Sequence, residues 1–188
     1  RLPFFPVVPR KPGPHASLFA AAERLEFRQL DGAKAVDALR ELVRSPDPQI
    51  RAAALLRVTR NYRKLERWDE ALAAYGELAT LKGAQIEMLP AELIALQARL
   101  QVLEQLNRIE EARKEAALLL DGLRDRRWRL TRGAYEFYAA EAGRVLELEG
   151  RSPEGAENLA LASAAEILYE GWREGLPTSG NRVLRGSD

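Results

Sequence analysis

Residues 52–81, AAALLRVTRNYRKLERWDEALAAYGELATL, constrain this chain more than any other stretch. At helical spacing they read as two amphipathic helices joined by a tight turn. Tyr62 and Leu65 end the first helix, and Asp69 and Glu70 open the second. Ala71, Tyr75 and Leu78 then mark one face at i, i+4 and i+7. The small Ala71 lets the two helices approach closely, and Tyr75 fills the volume one turn later. Such a hairpin cannot bury its apolar face alone, so it needs neighbours of the same kind.

The flanking sequence supplies them. Residues 18–30 predict a helix with Ser17 as its N-cap and Phe19, Ala22, Leu25 or Glu26, and Leu30 at helical spacing. Asp31-Gly32 makes a turn, and residues 33–44 predict a partner with Ala35, Leu39 and Leu42 on one face. Asp47 and Pro48 suit the N-cap and first helical positions of the next helix. That helix runs to about Leu65, its partner covers 68–81, and Lys82-Gly83 ends the pair. Residues 84–89 read as a connection. Pro90 starts a helix over 90–106 with Leu93, Leu96, Leu100 and Leu103 inward. NRIEEA at 107–112 parallels ERWDEA at 66–71, with Ala112, Ala116 and Leu119 in place of Ala71, Tyr75 and Leu78. Asp121-Gly122 closes this third hairpin. Helices over 131–149 and 153–174 form the fourth, the last with Ala156, Leu159 or Ala160, Ser163, Ile167 and Trp172 inward. Gly150 and Ser152-Pro153-Glu154 punctuate that pair, and Arg182-Val183-Leu184 suits a short strand or a run-out. The expected domain is residues 17–175, between a lead-in at 1–16 and a C-terminal segment at 176–188.

The lead-in has Pro3, Pro6, Pro9 and Pro12 at the polyproline II period, which rules out a helix. It is either an extended linker or a strap whose Phe4, Phe5, Val7 and Val8 lie on the domain or near a membrane surface. The chain starts at Arg1 and has no evident closing element, so the expectation is a piece of a longer polypeptide. No apolar run reaches the ~20 residues of a membrane-spanning helix, so any membrane attachment would come from segments outside it.

Composition narrows the chemistry. There is no cysteine and a single histidine, His15, which excludes thiolate chemistry, cysteine metal sites and histidine-rich ligand sets. Formal net charge is +1, so no global field draws the chain to nucleic acid or an anionic membrane. No glycine-rich phosphate loop occurs, and the acidic pairs Asp69-Glu70 and Glu110-Glu111 fit first helical turns. No cofactor, metal or catalytic residue is expected.

Leu55, Val58, Thr59, Tyr62, Ala71, Tyr75, Leu78 and Gly83 stand at the eight marker places of the tetratricopeptide repeat, which residues 52–85 resemble. Thr59, Leu78 and Gly83 replace the usual small residue, small residue and proline. Residues 18–48 and 90–122 match at the second helix and the turn, and 131–174 match least. The resemblance implies an all-α fold of four helical hairpins stacked as a right-handed α-solenoid. It also implies a protein-interaction scaffold with no chemistry of its own. The proline-rich lead-in, the degenerate repeats and GLPTSGNRVL at 175–184 further resemble the extracytoplasmic sensor region of some bacterial membrane-bound sensor histidine kinases. That resemblance implies a sensing module of a two-component system on the periplasmic face, binding a protein or a small extracytoplasmic ligand, with a homodimer allowed. The alternative is a cytoplasmic tetratricopeptide-type scaffold. His15 is not a candidate phosphoacceptor, because prolines surround it.

In such a stack the first helix of each pair lines a concave groove. The residues placed there are Arg28, then Arg60, Arg63 and Lys64, then Gln97, Gln101, Glu104 and Gln105. Arginine and glutamine suit carboxylates and peptide backbone. The cluster Arg124, Arg126, Arg127, Arg129 and Arg132 around Trp128 could instead meet phosphates and bases. The near-zero net charge and the lack of a second such patch favour a solvated loop with Trp128 packed inward. A helical-repeat RNA reader would need the same polar pair in every repeat, and no pair recurs.

Overall fold

The computed structural model describes residues 2–7, 14, 16–147 and 156–173. Helix dominates: nine α-helices, one 3-10 turn and one two-stranded ribbon are the regular elements among the described residues. The helix pairs are consistent with a helical-repeat fold. The chain divides into two compact units, residues 9–119, and residues 1–8 together with 120–188.

In the 9–119 unit, α1 (Ala20–Phe27) follows a 3-10 turn at Ala16–Phe19. Ser17 lies inside that turn, and the residue before α1, Phe19, gives no side-chain cap, so the expected serine cap is not formed. Asp31 instead caps the next helix, accepting from the Lys34 N–H at 2.9 Å. The span predicted as one helix over 33–44 is two, α2 (Gly32–Ala38) and α3 (Arg40–Val43). At the break the buried Leu39 donates its N–H to Val36 O, three residues back, which tightens the turn. The second hairpin is α4 (Pro48–Lys64) and α5 (Trp68–Ala79). Asp47 caps α4 as expected, its Oδ1 accepting from Gln49 N–H at 2.8 Å with Pro48 in the first turn. Ala71, Tyr75 and Leu78 are all buried, with Leu55, Val58 and Thr59 facing them from α4.

Residues 84–89, expected as an open connection, hold the ribbon of β1 (Gln85–Ile86) and β2 (Leu89–Pro90), paired antiparallel with Ile86 opposite Leu89. Its turn residues Glu87 and Met88 both have positive φ, at 49° and 75°. Tight hairpins favour that geometry, but Asn-Gly or Asp-Gly normally announces it. The Gln49 side chain accepts from the Gln85 N–H at 3.0 Å and pins the ribbon to α4. α6 (Ala91–Gln105) and α7 (Ile109–Arg124) follow. α7 runs through Asp121-Gly122, where the sequence suggested a stop.

One turn geometry recurs. Glu66, Asn107 and Arg126 each take a left-handed φ of 52–56° just past a helix end. The next residue's N–H then bonds back five positions, Arg67 to Tyr62 O, Arg108 to Leu103 O and Arg127 to Gly122 O. This is a Schellman-type cap made without glycine. At the first two turns an arginine also holds the same acid, Arg67 Nε on Glu70 Oε1 at 2.9 Å and Arg108 Nε on Glu111 Oε1 at 2.7 Å. The sequence parallel between 66–71 and 107–112 is thus a backbone and side-chain repeat. Leu30, expected to point inward, takes the left-handed position after α1 and is exposed.

In the other unit, α8 (Arg132–Val145) starts at Thr131, whose Oγ1 accepts from the Ala134 N–H, and α9 spans Ala156–Arg173. The lead-in meets this unit. The Phe5 N–H donates to Leu130 O at 2.7 Å, and the buried Phe4 ring lies 5.8 Å from that of Tyr135. Arg132 covers Phe4 and Arg129 covers Phe5. Of the four residues expected on a strap, Phe4 and Phe5 make these contacts, Val7 is exposed, and Val8 lies outside the described residues. Trp172 departs from expectation: it is 68% exposed. Arg132 reaches Ser163 Oγ at 2.7 Å and Glu166 Oε2 at 2.5 Å, so those residues define the inward face of α9 and Trp172 lies off it. Pro9, Pro12, His15, Gly150, Ser152-Pro153-Glu154 and Arg182-Val183-Leu184 lie outside the described residues.

Candidate functional site

A cavity of about 510 Å³ opens beside α4, α5 and α6. Its walls are Leu56, Arg60, Arg63, Lys64, Trp68, Tyr75 and Gln105. Helical periodicity accounts for the set. Arg60, Arg63 and Lys64 lie at i, i+3 and i+4, so one face of α4 presents all three. Tyr75 reaches the same space from α5, and Trp68 from its first residue.

Arg60 and Lys64 do not stand free. Both hold Glu26 of α1, a carboxylate with only 2% of its side chain exposed. Arg60 Nε donates to Glu26 Oε1 at 2.7 Å and its Nη2 to Oε2 at 2.5 Å. Lys64 Nζ lies 2.6 Å from Oε1, and Asn61 Nδ2 3.2 Å from Oε2. Burial raises the Glu26 pKa, but hydrogen bonds and charge from Arg60 and Lys64, with help from Asn61, outweigh it and hold the carboxyl below its ordinary value. Both cations also sit over the Phe27 ring, at 5.0 Å and 4.6 Å from its centroid. One turn earlier Arg57 repeats the arrangement, bonding Glu23 Oε1 and covering Phe19.

Arg63 differs from its neighbours. It is half-buried, lines the cavity, and has no hydrogen bond or ion pair among the described residues. Three cations therefore face one carboxylate, and the wall carries an excess of two positive charges beside two aromatic rings.

Of the residues the sequence placed in a groove, Arg60, Arg63, Lys64 and Gln105 come together here. Arg28, Gln97, Gln101 and Glu104 do not line this cavity. Arg28 is exposed past the end of α1, because the helix stops at Phe27 and not near residue 30. Gln101 is exposed, and Gln97 and Glu104 are half-buried, on other parts of α6. Sequence reasoning missed Glu26 as the organising acid. Its only trace was that Leu25 and Glu26 fit the inward position equally well, and the buried one is Glu26. It also missed Arg99, which bonds Glu115 Oε1 at 2.7 Å and Leu72 O at 2.6 Å and so ties α6 to α7 and α5.

The basic cluster at 124–132 is largely engaged. Trp128 is buried against Gly122, Arg127 pairs with Asp125 at 3.2 Å, and Arg132 holds Glu166. Among the described residues there is no grouping of three or more His, Cys, Asp or Glu suited to a metal ion. Nor is any described helix long and apolar enough to cross a membrane. Comparison with protein-family models, curated proteins and solved structures returned no match for this chain.

Proposed function

We propose that this chain is a non-enzymatic binding module, its hairpins stacked as a tetratricopeptide-like right-handed solenoid, that takes a carboxylate-bearing peptide segment in the cavity beside α4. The single observation that supports this is Arg63. A half-buried guanidinium with no acidic partner among the described residues, beside Trp68 and Tyr75, is a donor fork next to apolar surface. Glu26 neutralises only one of its two neighbours, so an incoming carboxylate meets net positive charge. Trp68 and Tyr75 would cover the aliphatic part of the same segment. A sensing region of a membrane-bound signalling protein, such as a sensor histidine kinase, and a cytoplasmic scaffold are both served by such a site.

The test is binding of a random decapeptide pool with free C-terminal carboxyls, compared with the same pool amidated. Selection on the immobilised chain is followed by calorimetry of the enriched peptides. The expected result is enrichment of free-acid or acidic peptides, with at least a tenfold loss of affinity in Arg63→Gln, matching about 1.4 kcal/mol or more for a charge-assisted contact. Equal retention of both pools, or affinity unchanged in Arg63→Gln, overturns the proposal.

A further inference from the structure

A second cavity, of about 840 Å³, lies on the side of α4 away from Arg63. Its floor is Arg51, Leu55, Val58 and Tyr62, at i, i+4, i+7 and i+11, a single face of the helix. At 100° per residue that face is centred about 155° round from Leu56, Arg60, Arg63 and Lys64. α2 and α3 form one wall, where Val36 and Val43 are half-buried, and α5 forms the other. The apolar residues that α5 turns to the cavity, Ala73 and Ala74, are too small to fill the space between the walls. From Arg51 to Tyr62 the floor is about 16 Å long, three turns of helix.

Two charges in this groove have no countercharge among the described residues. Arg51 is half-buried, and its Nε donates to Val43 O at 3.2 Å, but no described carboxylate pairs with it. Glu77 is exposed on the α5 wall, and no described cation pairs with it. The remaining charges on the walls are matched close in sequence, Arg40 with Asp37, Arg44 with Glu41 and Arg67 with Glu70. α4 and α5 are successive helices joined by a tight turn, so they run antiparallel. Glu77, late in α5, therefore stands near the level of Leu55, about one turn from Arg51. One end of the groove offers a cation from its floor and an anion from its wall.

The spacing of the floor and the signs of these two groups say what fits. Ridges at i, i+4, i+7 and i+11 interdigitate with the same spacing on a second helix. A helix laid along the groove meets Arg51 on one flank and Glu77 on the other. We propose that this groove docks a helical segment of a partner protein, about three turns long, with one apolar stripe. Its acidic side chain pairs with Arg51, and a lysine or arginine on the opposite flank of the same turn pairs with Glu77. This is a second site, and it does not rest on the carboxylate-binding reading of the Arg63 cavity.

The test is selection, on the immobilised whole chain, from a library of four-turn helical peptides with both ends blocked. Leucine or alanine occupies i, i+4, i+7 and i+11, and the flanking positions vary among Glu, Lys and Gln. The selected peptides are expected to carry an acid on one flank and lysine on the other, in the same terminal turn. Their affinity is expected to fall about fivefold or more in Glu77→Lys, and selection on that variant to shift to acids on both flanks. Ala73→Trp, which fills the groove, is expected to abolish retention with an unchanged helical circular dichroism signal. Arg63→Gln is expected to leave the affinity unchanged, which separates this site from the other cavity. Four outcomes overturn the proposal: no peptide retained, retention undiminished in Ala73→Trp, the same flank preference in Glu77→Lys, or a comparable loss in Arg63→Gln. Glu77 is exposed, so Glu77→Lys decides the matter even where Ala73→Trp does not fold.

Discussion

Glu26 and Arg60 are 34 residues apart on different helices, yet the guanidinium donates to both oxygens of the carboxylate, at 2.7 Å and 2.5 Å. Lys64 and Asn61 complete the shell around the same acid. A buried carboxylate is costly unless its oxygens are satisfied, so this cluster fixes how α1 lies against α4. It also sets the charge of the cavity beside it, because it consumes one positive charge of the three that α4 presents.

Glu26→Ala is expected to destabilise the protein by about 1–3 kcal/mol. The loss falls short of that for a fully buried pair because Arg60 and Lys64 are 40% and 48% exposed and rehydrate when the acid is removed. The same variant should bind acidic peptides more tightly, since the cavity wall gains positive charge. Denaturant unfolding and calorimetry measure the two effects, which have opposite signs.

The pH dependence follows from the direction of the Glu26 shift. Its folded pKa is held below the ordinary 4.5. Its contribution is therefore fully present above that value and is lost as pH falls through the folded pKa. Thermal midpoints of the unmodified chain and of Glu26→Gln are expected to run parallel above about pH 5 and to converge as the pH drops below 4. A constant gap down to pH 2 would show that the carboxylate charge contributes nothing.

Tyr75 and Tyr62 look equivalent in sequence and differ in the structure. Tyr75 is buried against α4, whereas Tyr62 is half-buried, with the Arg67 guanidinium 4.8 Å from its ring centroid. Tyr75→Ala is expected to cost roughly 3–5 kcal/mol and Tyr62→Ala no more than about 2 kcal/mol. Chemical denaturation of both variants checks the ranking. Equal losses would contradict it.

Gly122 is a helical position where a methyl group has no room. A Cβ there would lie 2.2 Å from the nearest carbon of the Trp128 ring and within 3 Å of two more. Trp128 is buried, so its ring cannot swing clear without opening the loop after α7. Gly122→Ala should therefore destabilise by about 1–3 kcal/mol, although alanine is the better helix former. Pairing it with Trp128→Leu should recover part of the loss, which a double-mutant cycle would reveal.

Much of the local architecture was legible in the residues. The Asp47-Pro48 start of α4, the inward row Ala71, Tyr75 and Leu78, and the kinship of 66–71 with 107–112 all rest on contacts within one or two helical turns. The misses share a cause. Glu87-Met88 adopts a turn that its residue types do not announce, and the Gln49 side chain holds it from another hairpin. Trp172 read as inward because an aromatic at helical spacing usually is, but Arg132 claims the other face of α9.

The sequence by itself determined which segments are helical, where most of them start, and that the chemistry available is that of carboxylates, amines and guanidinium groups. Periodicity, capping residues and composition act within a few residues and need no knowledge of the partner. Only the tertiary structure decided that Glu26 is buried, that Arg60 and Lys64 share it, that Arg63 has no carboxylate partner among the described residues, and that Phe4 lies against Tyr135 and Phe5 against Leu130. Those outcomes depend on which side chains from distant helices reach the same few ångströms, where one acid can neutralise one cation and leave the next unpaired.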